Sequence, residues 1–468
     1  MARIMSFDEP VLAPLLHSQI KKFIQDEQKR IVAGLRNFGS PFHIIFPQLM
    51  LENIQSFRSV FSKYETKGQI YFACKANKSP SFLQTATSSG IGVEVSSIYE
   101  LKRALANGIS GNNIIVSGSG KSMSFLFLAT CHHCLLSVDD IDEIVQLHLL
   151  LNRNKISTAE ILIRVNDIAD LPSRFGILQQ EIPRLYQLLS VNPSIKLRGF
   201  SFHINNYSVA DRVTAIDRMV IEICKARENG HACDVIDIGG GFTINYVGKK
   251  DWDTFQNHLA SEKKRSNLFF KHKIINKFYP YHSHYAKENF LEKILISKTN
   301  QGIAVQEMLQ KSSIRLFIEP GRSLLDQCGI TVAQVIGIKK FSDNENIVLV
   351  DANINHLSEQ WFNTDYLVDP ILLKENKDDE PTFVASVGGN LCLEMDMLSW
   401  RKIRFKRVPV KGDILVYPNT AGYQMDSNES SFHQIPLPRK ICAYFLNNVW
   451  YQKNDELFSW HDIESEET

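Results

Sequence analysis

The run YFACK at 71–75 ends an apolar stretch with an amine, beside Cys74 and just before a polar turn. Lysine is rarely buried without a partner. Two readings fit Lys75: an ion pair with a carboxylate, or a Schiff-base lysine whose pKa falls when it is desolvated near other cations. DIGGGF at 237–242 sets Gly239, Gly240 and Gly241 after a β-type run, where bare backbone N–H groups can approach an anion; a tight turn is the alternative. IEPGRSL at 318–324 places Glu319 and Arg322 around the Pro320–Gly321 turn. That pair is either a structural salt bridge or a carboxylate that keeps a heterocyclic nitrogen protonated, with a cation nearby. GFSFHIN at 199–205 leaves His203 at a strand end, as a satisfied core histidine or as a ring for stacking on a flat cofactor. NLCLEMD at 390–396 carries Cys392, Glu394 and Asp396, and Tyr423 sits in a loop of small residues at 419–432. CHHC at 131–134 looks metal-like but lacks a second ligand pair at finger spacing, so a helix end feeding the apolar run LLSV is expected and no metal.

These residues need a scaffold that brings strand ends together. Between about 65 and 320, eight β-type runs alternate with amphipathic helical stretches: QIYFACK, GIGVEV, NIIVSG, LLSVDD, ILIRVN, LRGFSFHI, VIDIGGG and IRLFIEP. Helix signals lie between them. Ser97 and Glu100 form a capping box ahead of a helix that stops at Gly108, and Val213, Ile216, Val220 and Ile223 share one face of another. Eight such units predict an α/β fold, a (β/α)8 barrel, whose sites lie at the C-terminal ends of the strands. Lys75, Glu94, Gly118, Arg164, His203, Gly239 and Glu319 all fall there. After 330 the β-type runs lack full-length helices between them, which predicts a second, β-rich domain over 330–468. The expected division gives residues 1–40 to a segment packed on that domain and 41–329 to the barrel. A long insertion at about 246–312, containing FYPYHSHY and a helix-like KENFLEKILI, is expected on the active-site face.

With 52 basic and 51 acidic residues, the chain carries a formal charge of +1, which gives no electrostatic case for nucleic acid or an anionic membrane. No apolar run approaches the roughly 20 residues that span a bilayer. The start, MARIMSFDEPVLAPLL, has acidic residues and a proline where a secretory signal needs a clean apolar core, so a cytoplasmic protein is expected.

The ordered set ACKAN, GVEVSS, GSGK, RFG, SFH, IDIGGGF, EPGRSL, LC–E–D and GDILVYPNTAGY resembles the fold-type III pyridoxal-phosphate enzymes, specifically the ornithine/diaminopimelate decarboxylase family, over residues 40–440 or so. The resemblance implies pyridoxal 5'-phosphate as cofactor, held covalently by Lys75. Gly239, Gly240, Gly241, Gly321, Arg322 and Tyr423 would surround its phosphate, Glu319 would pair with the pyridine nitrogen, and His203 would stack on the ring. Glu94 and Arg164 match polar positions of the pocket. It further implies a homodimer with shared sites, in which Cys392, as the acid that protonates the substrate α-carbon, and the substrate-binding Glu394 and Asp396 reach in from a partner chain. Related racemases set an arginine against the ring nitrogen, so Glu319 favours decarboxylation.

The chain also departs from that pattern. FHINNY replaces the common FHVGSG, putting Asn205 and Asn206 near the phosphate region, and CLEMD puts Leu393 at a usually acidic position. NHLSEQWFN at 355–363 lacks the arginine expected to grip a distal carboxylate, a loss of about 2–5 kcal/mol of binding. Diaminopimelate is therefore a poor fit, and the expected substrate is a larger or modified amino acid of specialised or siderophore-type metabolism. A racemase on the same fold, or a non-catalytic regulatory homologue, is the alternative.

Overall fold

The computed structural model describes residues 9–166, 173–273, 275, 278–342, 345–357, 366–374 and 383–460. A short strand, β1 (Phe42–Ile45), comes first and lies outside the barrel. The barrel strands are β2 (Gly68–Ala73), β3 (Gly92–Val95), β4 (Ile114–Val116), β5 (Leu135–Val138), β6 (Ala159–Arg164), β7 (Ile195–Ser201), β8 (Val235–Asp237) and β9 (Arg315–Ile318). Each pairs in parallel with its sequence neighbour, and β9 closes onto β2. These are the eight runs expected from the sequence. Both faces of a closed parallel sheet are covered, which is why the runs are almost continuously apolar. Tyr71, Ile115, Leu162, Val235 and Phe317 fill the barrel interior. Gly92 makes room for the first of these, because a Cβ there would stand 2.3 Å from the Tyr71 ring.

The helices between the strands begin as their caps dictate. Ser97 Oγ accepts from Glu100 N at 3.1 Å, while the Glu100 carboxylate accepts from Ser96 N at 2.7 Å, starting the helix Ile98–Ala106. Ser208 caps the helix Val209–Glu228 in the same way. At CHHC, the helix Met123–Cys131 turns through His133 into β5.

The second sheet contains β10 (Gly329–Ser342), β11 (Glu345–Val350), β12 (Ile371–Leu372), β13 (Phe383–Gly388), β14 (Met397–Phe405), β15 (Ile414–Pro418), β16 (Arg439–Leu446) and β17 (Val449–Asn454). Its strand order is β14-β13-β11-β10-β1-β16-β17, with β15 also on β10 and β12 on β15. β1 pairs antiparallel with β10 and parallel with β16. Residues 42–45 therefore belong to this sheet, not to a barrel starting at 41. The helix Pro47–Lys63 carries the chain across, and the barrel begins at Gly68. On the amino-terminal side, Phe23 of the helix Ser18–Asp26 packs edge-on against Trp450 of β17 with centroids 4.8 Å apart.

The long insertion is built against the second sheet. Tyr246, Phe255, Tyr279 and Tyr281 share a core with Val335, Val348, Leu415 and Tyr417. KENFLEKILI forms the expected helix, Glu288–Ile296.

Candidate active site

Lys75 lies in a single 3-10 turn, Cys74–Ala76, that ends β2. Its side chain is 47% exposed at the barrel mouth, with Nζ 3.4 Å from the Glu94 carboxylate at the end of β3. Glu94 is buried, and its other oxygen accepts from Ser96 Oγ at 2.7 Å and from Ser117 Oγ. The ion pair dominates the titration of the lysine. Attraction to Glu94 outweighs desolvation, and Tyr423 and Glu319 add to it, so the Lys75 pKa is raised above its ordinary value. Of the two sequence readings, the ion pair with a carboxylate is the arrangement present, and the depressed pKa of the other is absent because the nearest charge is the Glu94 carboxylate.

His203, just past β7, is held neutral. Burial, then Lys75 and Arg164, push its pKa down to about 3. Its Nδ1 accepts from Gly240 N at 3.4 Å, which leaves a neutral ring beside the glycine loop. Arg164, at the end of β6, lies 3.7 Å from Asp139 and 4.4 Å above the Phe175 ring.

Behind the loop sit two buried carboxyls, Asp237 and Glu319. Asp237 accepts from Gly239 N at 2.8 Å. Burial raises both, and the Glu94 charge adds to it in each case: Asp237 goes to about 6, and Glu319, which is also repelled by Asp237, goes well above the usual carboxylate range. The pair keeps a proton that separate surface carboxyls would release.

Arg322 follows the Pro320–Gly321 turn. Its guanidinium donates to Tyr246 Oη at 2.8 Å and Gly422 O at 3.1 Å, and it lies over the Tyr279 and Tyr423 rings at 4.3 and 4.9 Å. Tyr423 stands with positive φ, its backbone N donating to Ala76 O at 2.8 Å, and a Cβ on Gly321 would meet its hydroxyl at 2.9 Å. The tyrosines of the insertion thus wall in this arginine.

Lys75, Glu94, Arg164, His203, Gly239, Gly240, Gly241, Glu319, Gly321, Arg322 and Tyr423 therefore gather at one barrel rim. Cys392, Glu394 and Asp396 lie in the second domain, and the partners of Glu394 and Asp396 are there and in the insertion. Cys392 is exposed, and Glu394 reaches out to Lys271 at 3.2 Å. Asp396 is buried, and its carboxylate accepts from Leu391 N at 2.6 Å and Ile354 N at 2.9 Å. Those two bonds tie the carboxylate to its own backbone neighbours. Most of NHLSEQWFN lies outside the described residues.

Sequence reasoning passed over Asp237, Tyr246 and Arg212. Asp237 opens the very motif that was read for its glycines. Arg212 is four residues before Ile216 on the apolar helix face, so a charge in the buried stripe was the available signal.

The rim fits pyridoxal phosphate. Lys75 supplies an amine, and Glu319 a buried proton-bearing carboxyl. Gly241 (φ +81°) and Phe242 have backbone N–H groups that meet no acceptor among the described residues, which suits a phosphate.

Comparison with known proteins agrees. The family model for the pyridoxal-dependent decarboxylase pyridoxal-binding domain matches residues 49–276. An uncharacterized protein of Sinorhizobium fredii, y4yA, is 32% identical over 435 residues, covering 92% of this chain and 94% of that one. The L-glutamyl-[BtrI acyl-carrier protein] decarboxylase of Niallia circulans is 23% identical, covering 89% and 91%. The fold is that of the Helicobacter pylori diaminopimelate decarboxylase complexed with L-lysine, with a TM-score of 0.71 at 18% identity over 93% of this chain and 99% of the other. The chain belongs to the fold-type III pyridoxal-phosphate-dependent decarboxylases, the ornithine/diaminopimelate decarboxylase family, and is a carboxy-lyase for an amino acid with pyridoxal 5'-phosphate as its cofactor.

Proposed function

We propose that the substrate is an amino acid with an extended or masked far end, and that the product serves specialised metabolism. The supporting observation is the loop between β13 and β14. Asp396 is spent on backbone N–H groups, while Leu393 and Met395 are exposed at 41% and 56%. A loop of that composition suits an apolar or neutral extension better than a second charged head group. The Niallia circulans relative, whose printed name gives it a carrier-protein-linked glutamyl substrate, is in keeping with this reading.

In this account Lys75 holds the cofactor and Glu94 orients that amine. His203 stacks on the ring, and Glu319 with Asp237 keeps a proton at its nitrogen. The glycine loop, Arg322 and Tyr423 hold the phosphate. The bound cofactor supplies an electron sink for the pair left when the α-carboxylate departs as CO2. The protein acts as a homodimer, in which the exposed Cys392 of one copy enters the site of the other and protonates the α-carbon.

The test is an amino-acid panel scored for CO2 and amine product, containing diaminopimelate, ornithine, arginine and side-chain-acylated or carrier-linked amino acids. CO2 from the extended substrates and none from diaminopimelate is the expected result. Efficient turnover of diaminopimelate, or inversion of the α-carbon without CO2, contradicts the proposal.

A further inference from the structure

Among the described residues, one buried charge beside the site has no carboxylate within ion-pair distance: Arg212, fully buried in the first turn of the helix Val209–Glu228. Its guanidinium instead gathers carbonyls from two loops: Asn206 O at 2.8 Å, Ser208 O at 3.3 Å, Ile204 O at 3.2 Å, Gly240 O at 3.2 Å and Gly241 O at 3.5 Å. Nε remains without an acceptor among the described residues. Burial lowers its pKa to about 10, so it stays charged at neutral pH.

The consequence is geometric. In a trans peptide the C=O and the following N–H point in opposite directions. Carbonyls of Gly240 and Gly241 that face Arg212 must turn the N–H groups of Gly241 and Phe242 away from it. Those are the two N–H groups that find no acceptor among the described residues. The glycine is required here, since a Cβ at 241 would stand 2.3 Å from Arg212 Nη2. Asn206, which stands in the altered FHINNY stretch, does not take on this task with its side chain. Its amide donates to Asp211 at 2.6 Å and its oxygen accepts from Ser208 N at 3.0 Å. An isolated buried cation is costly until an anion approaches, and the N–H groups it aims mark where that anion belongs.

We propose that Arg212 is the positioning residue of the phosphate cradle, turning its peptides toward the cofactor phosphate and supplying the charge that makes the cradle prefer a phosphorylated ligand. This rests on the reading that the glycine loop holds the phosphate.

The test titrates apo-protein with pyridoxal 5'-phosphate and with pyridoxal, following visible absorption. Arg212→Gln is expected to weaken pyridoxal phosphate binding by about 10–100-fold and to leave pyridoxal binding unchanged, with Arg212→Lys losing less. Equal weakening of both ligands would mean a merely structural role and overturns the proposal, as does unchanged preference for the phosphorylated form. Should Arg212→Gln not fold, inorganic phosphate is the probe: it should raise the Tm of wild-type apo-protein and raise that of Arg212→Lys less. No rise in wild type, or an equal rise in both, overturns the proposal. Gly240→Ala, whose Cβ would meet Glu319 O at 2.8 Å, separates the two readings. If that variant keeps the wild-type preference for phosphate, the glycine loop is not the phosphate site.

Discussion

The Tyr246 hydroxyl accepts a hydrogen bond from the Arg322 guanidinium at 2.8 Å, joining the first residue of the long insertion to the turn after the last barrel strand. The same hydroxyl accepts from Gln424 Nε2 at 3.1 Å, and Tyr279 covers the guanidinium from the middle of the insertion. The insertion is therefore part of the wall around a buried arginine.

Tyr246→Phe removes that acceptor and keeps the ring. Leaving buried donors on Arg322 and Gln424 short of a partner should cost about 1–3 kcal/mol. Urea denaturation of the apo-protein measures the loss. An unchanged midpoint would show that the insertion does not support Arg322 energetically.

Lys75→Ala should abolish CO2 release and the visible absorption of protein-bound cofactor while leaving the fold intact, because the side chain is half exposed and Glu94 keeps its bonds from Ser96 and Ser117. Circular dichroism and a thermal melt check the second half of that statement. Residual turnover would remove Lys75 from its assigned role.

Acid should destabilise the apo-protein through two histidines of the second sheet and its loops. His43 and His356 are fully buried, and burial first, then Lys440 in the case of His43, pushes their pKa values to about 3 and about 4. Unfolding restores a pKa near 6.5, so the unfolded chain takes up protons first as the pH falls. Stability is complete above pH 6.5 and declines by about 1.4 kcal/mol per pH unit for each group down to those depressed values. His356→Phe, which replaces a ring whose two nitrogens find no partner among the described residues, should flatten the slope between pH 6 and 4. An identical slope would contradict the assignment.

Cys392→Ala should lower turnover by about 10²–10⁴-fold, the usual contribution of a positioned general acid, without weakening cofactor binding. Mixed with Lys75→Ala, each inactive alone, it should regain activity if the site is shared between copies. No recovery on mixing would contradict the shared site, and undiminished turnover in Cys392→Ala would place Cys392 outside the chemistry.

Much of this was legible in the sequence, for physical reasons. A closed parallel sheet buries both faces, so its strands appear as apolar runs, and a polar residue at the end of each marks the rim. The strand Met397–Phe405 hid because it contains Arg401, Lys402 and Arg404. Arg401 is nevertheless 1% exposed, its charge met by Asp369, Leu367 O and Pro10 O. Phe42–Ile45 hid because four residues next to a helix signal look like the start of the barrel. The backbone bonds of Asp396 were not legible, because a carboxylate in a motif does not disclose what donates to it. Arg212 was missed because one charge on an apolar helix face carries no motif; only the carbonyls it gathers reveal its place.

The central claim is that this barrel rim captures pyridoxal phosphate through one particular amine. Incubation with the cofactor, borohydride reduction and peptide mass mapping test it directly. The account predicts a single modified peptide with the added mass on Lys75; modification of another lysine, or of none, would contradict it.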